Sequence, residues 1–597
     1  MSRVTDWSLS KPLEYMQPHY DVVVIGSGYG GGVAASRLSR AGLSVCVLER
    51  GREIKSKEFR SGAFANIRSS QINGRRVQLG DPANLYDFRT GDDVHVLLGC
   101  GLGGGSLINS ALALRPELDS LKQRGWPSSL FQGNELEKGF VRAERMLGVN
   151  PYHKPKKIPK FEAFKAGAKC LGLKAEVKNN AIHFKDGVNR ANVAQSACTL
   201  CGDCWSGCNV GAKNTVALTY LTDALNHGAD IFTMLQVRTI EKLDAEDENS
   251  LWRVNFKRNK KSTLGEKTGQ MLKGFASGEE VLTEEKVSLN VTANIVIVAA
   301  GSLGSTEILL RSKEHGLQLS DQLGKKFSAN GDDLVLGVNQ DIYVNGNASH
   351  KLLKRQKGQK KPDQVGPNCM GYIRYKDKDL PGGSMLIEDG AMIPAMSAMA
   401  PLKALTSGKP KRAARMLIDG PKKGLRAHTQ THYLVSHDSY EGRMVLKNDR
   451  LQIEWPEIHD QALYQKYEEV MKTMIEGLGG EYKPSPLSEM GGRKVTAHPL
   501  GGCGMGDSVA SGVVNHKCQV FDGGCDDVSH DLNNEGQKVH SGLYVCDGAV
   551  MPSSLGSNPM LTIAALAERA MILLAQDLEL EFDDKKQKGA PLRVAAG

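Results

Sequence analysis

Apolar positions along the chain come as short continuous runs and as stripes of helical period, which together predict an α/β protein. Within YDVVVIGSGYGGGVAASRLSRAGLSVCVLERG (20–51), an apolar strand runs from Val22 to Gly26, a helix follows Gly31, and a second strand runs from Ser44 to Leu48. Val216, Tyr220, Leu221, Ala224 and Leu225 recur at helical spacing until Gly228 stops the pattern. The segment 241–290 alternates polar and apolar positions around KKSTLGEKTGQMLKGFASGEE, which predicts a hairpin. In GLYVCDGAVMPSSLGSNPMLTIAALAERAM (542–571), a strand ends at Asp547 and Gly548, and a loop leads through Asn558 and Pro559 into an apolar helix. The longest apolar runs stop short of the roughly 18–20 residues that a membrane span needs, so no transmembrane helix is expected.

At 597 residues, 40% hydrophobic and 24% charged, the chain is globular and too long for one core, so two or more domains are expected. Its formal charge of +9 is concentrated in KLLKRQKGQKK (351–361), in 403–426 and in HKPKKIPK (153–160). These runs predict solvated surface loops, with docking onto an acidic protein or peripheral contact with an anionic membrane as the functional alternative. They lack interleaved aromatic residues, and no zinc-finger or helix-turn-helix pattern accompanies them, which argues against nucleic acid as a partner. The opening MSRVTDWSLSKPLEYMQPHYD has no apolar export region, so a cytoplasmic location is expected. Twelve cysteines in such a chain point to buried thiols plus one metal or redox site, not to a disulfide framework.

The first strand–helix–strand unit carries Gly26-x-Gly28-x-x-Gly31 and ends at Glu49, 23 residues on from Gly26. Gly26 permits the tight turn, Gly28 lets a pyrophosphate approach the backbone, Gly31 allows close helix packing, and Glu49 is placed for ribose hydroxyls. This spacing predicts a dinucleotide site without separating FAD from NAD. A second glycine-rich turn, CGLGGGSLINSALALRP (100–116), leads through Gly103, Gly104 and Ser106 to Asn109, and one extended cofactor would use both turns.

The two turns together resemble the glucose-methanol-choline (GMC) family of flavoprotein oxidoreductases, whose first signature is matched from Gly99 to Asn109. The second signature is matched in part by AAGSLGSTEILLRS (299–312), with Thr306 where the family usually has Pro or Ser. The resemblance implies FAD. It implies non-covalent attachment, because Ile108 stands where some members carry a flavin-linking histidine. Asp547, Gly548, Asn558 and Pro559 are further cofactor-facing candidates, since a helix start offers free N–H groups and a positive dipole end to a flavin.

VTAHPLGGCGMG (495–506) and the segment from Asn558 onward look like the sterol-oxidising, cholesterol-oxidase-like branch of that family. Carried over by position, the resemblance implies His498 and Asn558 as catalytic residues. IEDGAMIPAM (387–396) nominates Glu388, with Asp389 as its rival. The implied reaction removes the hydroxyl proton of an alcohol as hydride leaves its carbon for the flavin. A histidine suits the base or hydrogen-bond role, and Glu388 is a second base for double-bond migration.

SACTLCGDCWSGCNVGAKNT (196–215) sets Cys198, Cys201, Cys204 and Cys208 in the C-x2-C-x2-C-x3-C spacing of bacterial ferredoxins. An iron–sulfur cluster of the 4Fe-4S or 3Fe-4S type is the reading preferred over structural zinc, whose sites use two separated knuckles, or inert thiols. Certain sugar-oxidising dehydrogenases of the family are similar in carrying a cysteine-rich loop ahead of a comparable helix. That similarity implies a dehydrogenase acting on a bulky apolar alcohol, a sterol or similar, and passing electrons to a one-electron acceptor such as an acidic ferredoxin. An oxygen-using oxidase with structural cysteines, an FAD-containing lyase without net redox, and a non-catalytic electron-transfer subunit are the alternatives.

The fold class expected is α/β, a doubly wound FAD-binding domain with an inserted substrate domain built on an antiparallel sheet. The FAD-binding domain takes 18–115, 209–330 and 495–580. The substrate domain takes 116–208, with the cysteine loop at 196–208, and 331–494. A tail occupies 581–597. The methionine-rich 390–405 reads equally as a lip over an apolar cavity or as core.

Overall fold

The computed structural model describes residues 8–60, 62–75, 78–122, 125–243, 251–259, 289–348, 364–392, 425–485, 489–490, 492–524, 536–581, 583–588 and 590–593. The basic run 351–361, most of 403–426, the loop 260–280 and the methionine-rich stretch beyond Met392 lie outside the described residues.

The N-terminal apolar run becomes β1 (His19–Ile25), followed by α1 (Tyr29–Arg40) and β2 (Val45–Leu48). β1 starts earlier than its apolar run because His19 and Tyr20 pair with Thr292 and Ala293, partners far along the chain. β3 (Asp230–Phe232) lies parallel to β2, and β4 (Leu289–Val298) lies parallel to β1 on the other side. Val22, Val23 and Val24 are fully buried, which explains a continuous apolar run in place of alternation: both faces of this strand are covered. The hairpin expected around 260–280 is present as Trp252–Arg258 and β4, antiparallel to each other, and Leu235–Lys242 extends it by pairing antiparallel with Trp252–Arg258.

After α2 (Gly301–Glu314) the chain enters a second sheet. β5 (Asp333–Val338), β6 (Gly371–Lys376), β7 (Ser384–Gly390) and β8 (Gln430–Ser436) form it in the order β5-β8-β7-β6, with Glu481–Pro484 and Glu176–Val177 at its edges and every pair antiparallel. The chain then returns through β9 (Val539–Val545), parallel to β4, and α3 (Met560–Asp577). A smaller mixed sheet, in which Val94–Gly99 pairs in parallel with Arg493–Thr496, leads straight to His498.

The charge pattern predicts a surface loop for 153–160, and Lys160 departs from it. It lies in the helix Pro159–Cys170, fully buried, with its ammonium 2.5 Å from Asp389 Oδ2 and 3.0 Å from the Asn368 carbonyl. A buried carboxylate on β7 supplies the partner that the local sequence does not show. The helix expected after the cysteines begins as a π-helical turn, Ala217–Leu221, before Thr222–Asn226 continues as α-helix and Gly228 ends the segment at φ +93°. No helix among the described residues is long and apolar enough to cross a membrane.

Candidate active site

The first glycine turn is built by close backbone packing. A Cβ on Gly26 would meet the Ala299 carbonyl oxygen at 2.4 Å, and one on Gly31 would meet the Gly26 carbonyl oxygen at 2.0 Å. In front of Gly28 nothing lies within 4 Å, so an anionic group has room to reach the start of α1. A Cβ on Gly104 would come within 2.9 Å of Gly28 Cα, which shows that the two glycine turns abut. Glu49 is buried beside them, accepting from the Ser27 amide at 3.2 Å, the Ser27 hydroxyl at 2.5 Å and the Gly51 amide at 2.7 Å. Burial pushes its carboxyl up, opposed by the Ser27 hydroxyl, the Gly51 amide and Arg50. Two abutting glycine turns, an open approach at Gly28 and a carboxylate at the end of β2 fit an extended dinucleotide such as FAD.

Several of the other cofactor candidates hold the cradle together. The Ser106 hydroxyl donates to the Gly103 carbonyl at 2.6 Å and accepts from the Val216 amide at 3.0 Å. Asn109 Nδ2 donates to the Tyr29 hydroxyl at 2.7 Å. Asp547 accepts from the Gly301 and Ala549 amides, each at 2.8 Å, and from the Ser305 hydroxyl at 2.5 Å, which locks the start of α2 to the end of β9 beside Gly548. Pro559 stands immediately before α3, with Asn558 one residue ahead of it.

Glu388, Asn558 and His498 come together from three distant stretches. Glu388 on β7 is buried, and Asn558 Nδ2 donates to its Oε2 at 3.3 Å. Burial pushes the Glu388 carboxyl up, while Lys178, His498 and Asn558 act to lower it. Asn558 Oδ1 is buried without a hydrogen-bond partner, an acceptor left for a ligand. The half-buried His498 donates from Nδ1 to Asp332 Oδ1 at 2.7 Å, which fixes the tautomer and leaves Nε2 free to accept. Burial works to lower its pKa, but Asp332 and Glu388 outweigh burial and raise it above its ordinary 6.5. Asp389, the rival of Glu388, is consumed by Lys160 and by the Met370 and Gly371 amides on the opposite face of β7.

Cys198, Cys201, Cys204 and Cys208 line one open pocket of about 480 Å³ with Asp203, Lys213 and Pro367. The Cys198 thiol is pushed well up, by burial first and then by Cys204, Cys201 and Cys208, and Cys201 rises to about 12 for the same kinds of reason. Four neighbouring thiols match the donor chemistry of an iron–sulfur centre. Among the described residues no three His, Cys, Asp or Glu side chains are arranged to hold a metal ion. The cysteine loop is tied to the cradle by Lys213, which donates to the carbonyls of Leu107 at 2.8 Å, Asn109 at 3.1 Å and Cys204 at 2.8 Å. Trp205 ties it to the second sheet by stacking on Tyr433, with ring centroids 5.6 Å apart, and to the second glycine turn by donating to the Ser110 hydroxyl at 2.7 Å.

Asp332 and Lys178 are the functional candidates that sequence reasoning missed. Asp332 sits in an Asn-Gly-Asp-Asp turn before β5, which reads as loop chemistry, and Lys178 belongs to no motif. Each meets its partner from a distant stretch of chain: Asp332, just before β5, reaches His498 beyond Arg493–Thr496, and Lys178, just after Glu176–Val177, reaches Glu388 on β7.

Fold and cradle together define a dinucleotide-dependent flavoprotein oxidoreductase. The chain belongs to the GMC oxidoreductase family, whose N-terminal model matches residues 23–329 and whose C-terminal model matches 535–567. It is an FAD-dependent oxidoreductase acting on CH–OH groups. A cholesterol oxidase of Mycobacterium tuberculosis is 27% identical over 97% of this chain and 95% of its own length. A cholesterol oxidase of Acinetobacter baumannii is 26% identical over 94% and 95%. A long-chain-alcohol oxidase of Arabidopsis thaliana is 25% identical over 92% of this chain and 66% of its own length. Among solved structures, pyridoxine 4-oxidase from Mesorbium loti shares the fold, with a TM-score of 0.55 at 15% identity over 93% of this chain and 99% of that one.

Proposed function

We propose that this enzyme oxidises the hydroxyl of a bulky apolar alcohol, a sterol or a long-chain alcohol, and passes the electrons singly to an acidic carrier such as a ferredoxin. The observation that carries the alcohol reading is the meeting of His498, Glu388 and Asn558 beside the dinucleotide cradle. The cholesterol and long-chain-alcohol oxidases similar to this chain support the substrate class. FAD, held by Gly26, Gly28, Gly31, Glu49, Gly103 and Gly104, supplies the hydride acceptor when bound. His498 Nε2 takes the hydroxyl proton while Asp332 steadies the resulting imidazolium. Asn558 orients the hydroxyl through its free Oδ1, and the N-terminus of α3 directly after it favours negative charge developing nearby. Glu388, whose carboxyl burial pushes up and Lys178 draws down, takes or returns a proton where a double bond migrates.

Cys198, Cys201, Cys204 and Cys208 would hold an iron–sulfur cluster that supplies a one-electron exit. Lys213 and Trp205 support this reading, since they join the cysteine loop to the cradle and to the catalytic sheet. All eleven described cysteines are free thiols, which supports a reducing, cytoplasmic setting. A second reading, an oxygen-using oxidase with structural cysteines, is favoured by the names of the similar oxidases.

Anaerobic mixing of the flavin-loaded protein with cholesterol or a long-chain primary alcohol tests the first reading. Bleaching of the flavin band is expected, and its absence with both alcohols rejects the substrate class. Iron and sulfide analysis of anaerobically purified protein tests the second part. Iron and sulfide in cluster stoichiometry per flavin are expected, and peroxide formed at the rate of turnover would return the oxidase to first place.

A further inference from the structure

Strand β7 carries two adjacent acids, each facing a buried lysine, and the two pairs differ in kind. On one face Lys160 and Asp389 are closed at 2.5 Å, and Asp389 also accepts from two backbone amides. That pair uses its polar groups fully and reads as structural. On the other face Lys178 Nζ stops 3.7 Å from Glu388 Oε1, and neither atom has a hydrogen-bond partner. Lys178 rests instead over the Tyr372 ring, 4.1 Å from its centroid. Both side chains are almost wholly buried, at 1% and 2% exposure.

The register explains the placement. Glu176, Tyr372, Glu388 and Tyr433 form one row across the second sheet, and Lys178 leaves the edge segment to reach over Tyr372 to Glu388. A buried ammonium without a hydrogen bond is expensive, and its compensation here is the Glu388 carboxylate and a ring face. The other ionisable groups around Lys178 are Tyr372, Cys369 and Arg374, and those around Glu388 are His498, Cys369, Asp389 and, across the strand pair, Tyr433. Arg374 is held by Glu117 at 3.3 Å and repels Lys178.

We propose that Lys178 is a positioning residue that acts through Glu388: its ammonium is the counter-ion that keeps this buried carboxylate ionised, and so sets the pH range over which it accepts a proton. The open geometry leaves Oε1 free to receive a proton while the cation stabilises the charged form before transfer. The inference rests on the reading of Glu388 as a base. In support, burial lowers Lys178 to about 8 although Glu388 acts to raise it, and Lys178 is the first of the groups that act to lower Glu388 against burial.

The test is an infrared pH titration of the flavin-loaded protein, following the carbonyl band of a protonated carboxyl that disappears in Glu388→Gln. Replacing Lys178 by Met or by Gln should raise the midpoint of that band by at least about one pH unit, while Lys178→Arg should restore it. With Lys178→Gln the acid limb of double-bond migration, the step assigned to Glu388, should move upward by the same amount, a roughly tenfold loss on that limb. A Lys160→Met control should lower thermal stability without moving the band. A midpoint left in place by both neutral substitutions, or moved equally by Arg, overturns the proposal. Because the titration needs no alcohol, it fails or succeeds independently of flavin bleaching by substrate.

Discussion

His498 Nδ1 lies 2.7 Å from Asp332 Oδ1, across 166 residues of chain, and the same carboxylate accepts from the Ala497 and His498 amides. The carboxylate therefore fixes the ring and raises its pKa above 6.5, despite burial that acts the other way. Neutral His498, the form able to take a proton, is populated above that raised value. Asp332→Asn should move the acid limb of the kcat/KM profile to lower pH while cutting the plateau by about 10²–10⁴-fold. The pair also contributes stability that is fully present below pH 6.5 and is lost as pH rises through the raised pKa. Thermal melts of wild type and variant across that window give an independent check, and an unmoved limb would remove Asp332 from the catalytic account.

Asn558 joins the base to the cofactor-facing helix, with Nδ2 on Glu388 and a buried, unpartnered Oδ1. Asn558→Leu keeps the volume and removes both dipoles. Flavin should still bind, while anaerobic bleaching by cholesterol should slow by about 10²–10³-fold, the range seen when one preorganised hydrogen-bonding group is lost. Stopped-flow bleaching at the wild-type rate would show that the residue only fills space.

The parts legible in the sequence are those whose partners lie close in the chain. The cradle is one example, because Gly26, Gly28, Gly31 and Glu49 sit within a single strand–helix–strand unit whose glycines are forced by backbone contact. Fully buried Val22, Val23 and Val24 announce a strand covered on both faces. Asp332 and Lys178 are invisible there because contacts between stretches distant in the chain, not spacing, deliver them to His498 and Glu388. Lys160 was misleading for a related reason: it ends a basic run, and only β7 reveals a buried acid waiting for it. Strand alternation resolves the ambiguity between Glu388 and Asp389, since neighbours on a strand face opposite sides and only Glu388 turns toward Asn558.

Cys201 offers a clean separation of electron exit from hydride chemistry. Its thiol belongs to the cysteine pocket, whereas His498 and Asn558 do not line it. Cys201→Ser should lower bound iron and reduce turnover with a one-electron acceptor by at least about tenfold, the scale of losing a ligand of a metal centre. Anaerobic bleaching of the flavin should persist. Wild-type iron content together with wild-type acceptor reduction would place Cys201 outside any cluster.

Arg37 on α1 and Glu568 on α3 form a fully buried bidentate pair, at 2.8 and 2.6 Å, and the Tyr220 hydroxyl donates to the same carboxylate at 2.7 Å. The pair fastens the helix that leaves the glycine cradle to the helix that follows Asn558, and Tyr220 adds the turn behind the cysteine loop. Removing Glu568 takes away the close counter-charge of the buried Arg37 guanidinium, which then has Asp584 at 3.9 Å, so Glu568→Ala should cost about 3–5 kcal/mol, whereas replacing Arg37, Glu568 and Tyr220 together by apolar residues of similar volume should cost far less. Urea denaturation of the flavin-loaded variants measures both numbers. Flavin fluorescence during the same titrations adds a functional reading: if α1 and α3 hold the cradle jointly, Glu568→Ala should release flavin at lower urea than the triple replacement does. Equal losses in the two variants would mean that packing volume, not the buried charge, holds these helices together.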